Sequence, residues 1–152
     1  MKKREMQMDF MGFMGEFTHT LDKKGRIAIP AKLREGLGDA FIVTKGLDRC
    51  LFIYTAEGWK KLVEHMKSLS MAKARARAFK RTIFSAATPV EPDKQGRILI
   101  PQKLREYANF NENVVVVGVD DRVEMWAEEL WDNYSDAVND EYEDNAEELD
   151  II

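Results

Sequence analysis

Asp22–Glu35 reads DKKGRIAIPAKLRE, and 71 residues later Asp93–Glu106 reads DKQGRILIPQKLRE. Eleven of the fourteen positions are the same. The match continues outward. Gly46, Leu47 and Asp48 are answered by Gly118, Val119 and Asp120, Tyr54 by Trp126, and Trp59 by Trp131, now 72 residues apart after one inserted residue. Self-similarity at a fixed offset marks a repeated structural unit. The chain is two copies of one module.

Within each copy the motif has a local meaning. Phe17, His19 and Leu21 alternate before Asp22–Gly25, and Ile27 and Ile29 alternate after it, which predicts a strand, a turn and a second strand as a hairpin. Gly25 and Gly96 supply the positive φ such a turn needs, and the carboxylates of Asp22 and Asp93 are placed to accept turn amides. With Ile27 and Ile29 inward, alternation sends Arg26 and Ala28 outward, so Arg26 and Arg97 are expected exposed at the tip. Pro30 and Pro101 suit a helix start, so AKLREGL and QKLREYA read as short helices with Leu33 and Leu104 toward the core.

Charge is unevenly spread along the 152 residues. Residues 1–122 hold all 23 Lys and Arg against 15 Asp and Glu, a net of +8; residues 123–152 hold 12 acidic residues and no basic one, −12, which together give the formal −4. Such asymmetry indicates a basic working body with an acidic appendage. Cys50 is the only cysteine and lies in the apolar run CLFIY, where an inert buried thiol is expected. No secretory apolar stretch and no run of about 20 apolar residues occurs, so the expectation is a cytoplasmic protein with no membrane partner.

Taken in order, Met1–Gly12 reads as a frayed extension, or as an upstream start before the patterned part. A first strand is predicted over Phe13–Leu21, with further strands at Phe41–Thr44, Cys50–Tyr54, Val114–Val117 and Val123–Trp126. Trp59, Leu62, Val63, Met66 and Leu69 form a helical stripe, and a second, basic helix is predicted over Met71–Phe84. Trp131, Tyr134 and Val138 mark an amphipathic helix, and beyond about Asn139 the chain has too little apolar content to hold itself, so a disordered or loosely helical tail is expected. Residues 13–55 are the first repeat, 56–82 a helical linker, 83–127 the second repeat and 128–152 the acidic helix and tail.

The chemistry-bearing residues do not point to catalysis. His19 and His65 lack neighbours at metal-ligand spacing, and no nucleophile, zinc or phosphate-loop motif appears, so neither enzyme nor cofactor is expected. The basic residues of the turns fit a nucleic acid better. A two-stranded element fits the major groove, arginine contacts guanine O6 and N7 with both ends of its fork, and lysines beside it hold phosphates. A structural Asp22–Arg26 pair and a two-carboxylate site from Asp22 and Asp93 are the rival readings of the same residues.

The doubled Asp-x-Lys/Gln-Gly-Arg stretch, each followed by Ile-Pro-x-Lys-Leu-Arg and the first preceded by Met14-Gly15-Glu16-Phe17, resembles the MraZ family of bacterial transcriptional regulators, grouped with the AbrB-like swapped-hairpin DNA-binding proteins. The resemblance covers residues 12–134. It implies an α+β fold, a β-rich pseudo-dimeric swapped-hairpin (AbrB-like) barrel from two internal repeats with flanking helices. It further implies double-stranded DNA as partner, contacts through Asp22, Lys23, Lys24, Gly25 and Arg26 and through Asp93, Lys94, Gln95, Gly96 and Arg97, assembly with itself into a ring, and action on the nucleoid at the promoter of its own division and cell-wall operon. The alternative is an AbrB-like antitoxin or protein-interaction module that uses the acidic tail.

Overall fold

Each turn closes as its sequence dictates. Gly25 N–H donates to Asp22 O at 3.0 Å and Asp22 N–H to Arg26 O at 2.9 Å; Gly96 and Asp93 repeat both bonds at 2.9 Å. The strand that leaves the first turn, β2 (Arg26–Ala28), does not fold back on β1 (Phe13–Thr20), as the hairpin expectation required. In the computed structural model, which describes residues 11–152, β2 pairs with its counterpart β6 (Arg97–Leu99), and Ile27 stands opposite Ile98 on a pseudo-twofold axis. Ile29 N–H to Gly96 O and Ile100 N–H to Gly25 O, both 2.9 Å, extend the ladder symmetrically. The expectation for residues 1–10 lies outside the described residues.

The strands before the turns are exchanged as well. β1 runs antiparallel to β7 (Asn113–Asp120) along its whole length, from Phe13 opposite Asp120 to Thr20 opposite Asn113. In the other copy β5 (Thr88–Val90) adds to β3 (Phe41–Lys45). The hairpins β3–β4 (Leu51–Thr55) and β7–β8 (Arg122–Ala127) meet through β4 and β8, giving one antiparallel sheet in the order β1-β7-β8-β4-β3-β5. Hydrogen bonding among the described residues leaves this sheet open, with β1 and β5 as edges, and the β2–β6 ribbon as a separate two-stranded layer.

Pro30 and Pro101 sit at the cap positions of α1 (Ala31–Leu37) and α4 (Gln102–Tyr107), where a fixed φ is no penalty and no N–H is needed. Their inward residues Leu33, Leu37 and Leu104 join Ile27, Ile29, Ile98, Ile100, Phe41, Val43, Ile53, Val114, Val116 and Met125 in one core drawn from both copies. On the other face of the sheet Cys50, Val115 and Trp126 pack with Trp131 of α5 (Glu128–Asn139). The linker forms α2 (Ala56–Met66), capped by Thr55 Oγ1 accepting Gly58 N–H at 2.8 Å, and α3 (Ala74–Ala86).

The α3 helix begins three residues later than its periodicity suggested, because Ser70 Oγ accepts Ala72 N–H and the Arg77 guanidinium bonds the carbonyls of Met71 and Ala72. Thr44 Oγ1, fully buried, donates to Ile83 O at 2.8 Å and ties the end of α3 to the sheet. The acidic tail is helical, α6 (Tyr142–Leu149), yet buries none of its residues. The described helices include none long and apolar enough to cross a membrane.

The ribbon predicts a sharp contrast between neighbours. Ile98 is 1% exposed and Leu99 57%. Ile98→Ala should cost about 2–5 kcal/mol in urea denaturation, and Leu99→Ala no more than about 0.5 kcal/mol.

Candidate nucleic-acid interface

The ribbon brings the two turns side by side. Asp22 Oδ1 accepts the backbone N–H groups of Lys24 (2.9 Å) and Arg26 (2.8 Å), and its Oδ2 accepts Arg26 Nε at 2.8 Å. Asp93 does the same with Gln95 and Arg97 N–H (both 2.9 Å) and Arg97 Nε (3.0 Å). Across the axis Arg97 Nη1 lies 3.9 Å from Asp22 Oδ2, so the four side chains form one cluster.

These bonds hold both carboxyls below the usual carboxylate value, chiefly through the N–H of Arg26 and of Arg97, each aided by the guanidinium. Carboxylates fixed in this way stay ionised at neutral pH and serve the turn as hydrogen-bond acceptors.

The arginines are not fully exposed as expected. Arg26 and Arg97 side chains retain 33% and 31% of their accessible surface, because their aspartates draw the Nε edge down onto the turn. The structural pairing therefore exists, and it orients the arginine without consuming it. Only Nε of Arg26 is used among the described residues, and both Nη nitrogens remain available. Lys23, Lys24, Lys94 and Gln95 are exposed at the tips, whereas Gly25 and Gly96 are buried.

The burial of the glycines reveals two residues that the motif reading passed over. Gly25 and Gly96 have φ of +86° and +78°, and a Cβ at Gly25 would run into the guanidinium of Arg105, one at Gly96 into that of Arg34. Each arginine comes from the helix of the opposite copy and lies over the turn. Its sequence signal was the Arg that follows the inward Leu33 or Leu104 in both copies.

Cross-strand pairing adds another. Leu99 stands directly opposite Arg26 on the outward face, and Ala28 takes the corresponding place opposite Arg97.

The flanks of the two turns differ. Beside the first, a groove of about 710 Å³ is lined by Asp22, Lys23, Arg105 and Glu106, two charges of each sign. Beside the second, one of about 560 Å³ is lined by Arg34 against Glu35, Asp39, Glu91 and Asp93.

His19 and Cys50 have structural roles. His19 Nδ1 is 2.8 Å from Ala28 O and joins β1 to β2. Cys50 is buried, with Sγ 3.2 Å from Leu47 O, and burial together with the Glu124 charge pushes its thiol far up, so it stays protonated and unreactive.

Comparison with known proteins gives a consistent result. A family model described as "MraZ protein, putative antitoxin-like" matches twice, over residues 12–82 and 83–151. Proteins named Transcriptional regulator MraZ are similar to this chain over 137 residues, 90% of it and 96% of each relative: that of Desulforamulus reducens at 54% identity, that of Carboxydothermus hydrogenoformans at 52% and that of Natranaerobius thermophilus at 50%. These relatives are named as regulators and not as enzymes.

The depressed carboxyls set a pH dependence. A group whose folded pKa is lowered contributes stability above its unfolded value, here the ordinary 3.8, and loses it as pH falls through the folded value. The urea midpoint of the parent should be insensitive to these groups above about pH 5 and fall at more acid pH. Asp22→Asn with Asp93→Asn should lower the midpoint at neutral pH and remove that part of the acid decline.

Proposed function

Because the chain belongs to the MraZ family, we propose that it is a non-enzymatic, sequence-specific DNA-binding transcriptional regulator that reads double-stranded DNA with the paired turns at Asp22–Arg26 and Asp93–Arg97. The observation that carries this reading is the buttressed arginine. In each turn the aspartate occupies Nε and fixes the plane of the guanidinium, and among the described residues the Nη edge of Arg26 is left with its donors unspent. A pre-oriented fork loses little freedom when it meets the O6 and N7 acceptors of guanine, and each such pair gives about 1–3 kcal/mol of discrimination.

The exposed Lys23, Lys24 and Lys94 contact phosphates and set register, while Gly25 and Gly96 let the backbone come close. Gln95, where the first copy has Lys24, contributes hydrogen bonding without charge. Leu99 beside Arg26 offers an apolar surface to a thymine methyl.

The exchanged strands β1 and β5 and the shared ribbon support the swapped-hairpin, AbrB-like arrangement, with the two copies acting as the two halves of a pseudo-dimer. The protein works in the cytoplasm on the nucleoid, at repeats near the promoter of its own division and cell-wall operon. It does so as a ring-shaped homo-oligomer, so that several modest contacts add through linkage. The antitoxin reading has the acidic tail and the antitoxin-like description of the family in its favour, but it leaves the second copy of the turn unexplained.

Gel shifts with the DNA upstream of the gene, over a salt series, test the proposal. The parent should bind with an affinity that falls steeply with salt. Arg26→Ala and Arg97→Ala should each weaken specific binding by about 5- to 150-fold, the equivalent of 1–3 kcal/mol, with the thermal melt and assembly mass retained. Equal binding of the variants, or variants that fail to fold, would count against it. Lys24→Gln should weaken binding to all sequences alike and reduce the salt slope by about 1.

A further inference from the structure

Away from the turns the molecule carries a second unclaimed surface. Between α3 and the β3–β4 hairpin lies a groove of about 520 Å³, lined by Leu47, Phe52, Tyr54, Leu62, Phe79 and Tyr107 among others. Its rim is apolar and open, with Leu47 62% and Phe79 42% exposed. Its ends are cationic. Lys45 Nζ and the Arg49 guanidinium sit 5.1 and 5.0 Å from the centre of the Tyr107 ring, and Arg75 lies one helical turn before Phe79 on the same face of α3. Residues 73–81 hold five basic residues, Lys73, Arg75, Arg77, Lys80 and Arg81, and no acidic one.

The tail has the complementary composition. Residues 142–152 contain Glu143, Asp144, Glu147, Glu148 and Asp150 with no basic residue, and Tyr142, Leu149, Ile151 and Ile152 are 66–90% exposed. The α6 helix has eight residues and buries none. Isolated helices below about 12–15 residues are marginal in water, so a helix of this length draws its stability from something it packs against. Among the described residues of one chain nothing covers the tail or fills the groove. The tail leaves α5 over β7 and β8, while α3 packs on β3 beyond the intervening β4.

We infer that the groove between α3 and β3–β4 is the docking site for the acidic segment 142–152 of a second copy of this chain. Leu149 and Ile151 enter the apolar floor beside Phe79, and the carboxylates of the segment meet Lys45, Arg49 and Arg75. The contact is head-to-tail, since a chain that accepts a tail still presents its own, and such contacts either close into a ring or continue as a filament. The inference rests on the reading that the protein works as an assembly of copies, and it names the surfaces that would hold that assembly together.

Light scattering on the full chain and two variants tests it. Phe79→Glu disables the groove and leaves the tail; Leu149→Asp with Ile151→Asp disables the tail and leaves the groove. All of these side chains are exposed, and circular dichroism melts check that the variants stay folded. The parent should have the mass of an assembly, dispersing as salt rises. Each variant alone should have the mass of one chain, 17.6 kDa. An equimolar mixture of the two should give a species of twice that mass and no larger, because one sound groove meets one sound tail. A mixture that stays at the mass of one chain, or either variant assembling as the parent does, overturns the inference while leaving the assembly reading intact. A parent that is itself monomeric overturns both. Arg26→Ala keeping its mass but losing DNA bears on the turns alone.

Discussion

The three-residue ladder between Arg26–Ala28 and Arg97–Leu99, with Ile27 facing Ile98 on the pseudo-twofold axis, is the contact through which two incomplete modules become one molecule. Neither copy could satisfy its strands alone. The strand entering each turn finds its backbone partner in the other copy, β1 on β7 and β5 on β3, and the strand leaving each turn pairs with its own counterpart. Unpaired strand edges are costly and sticky, so a single copy would be driven to find a second. Duplication within one chain provides that second copy at high effective concentration.

The same ladder fixes the geometry of the turns. Each is pinned from below by its own aspartate and from the side by an arginine of the other copy, Arg105 over Gly25 and Arg34 over Gly96. A side chain at either glycine would displace the crossing arginine and also demand an unfavourable φ, so two separate constraints select the same residue type. Holding the turn occupies Nε of Arg26, and among the described residues its two Nη nitrogens make no further bond.

What the sequence made legible was local. The turn, the positive φ at Gly25 and Gly96, the proline-started helices and the inward Leu33 and Leu104 all follow from neighbours within a few positions. Which strand would pair with which was not legible, because alternation reports a face and not a partner, and two copies of one pattern offer each strand two equivalent partners. The partial burial of Arg26 and Arg97 depended on that pairing and was hidden with it. The late start of α3 was missed for a different reason. Periodicity registers apolar spacing, whereas the helix is delayed by Arg77 reaching back to the carbonyls of Met71 and Ala72. Arg34 and Arg105 were in plain view in both copies, but their role appears only when the opposite turn is set beneath them.

Joining the halves covalently has an evolutionary consequence. In a dimer of separate single-module chains, one codon change alters both turns at once, and the two turns are bound to remain identical. Here each turn has its own codons and can drift independently. The drift is visible in Gln95 against Lys24, Leu99 against Ala28, and the carboxylate-rich flank of the second turn against the balanced flank of the first. The two ends of the ribbon are thereby no longer equivalent, and a partner that met both turns would meet them in one orientation.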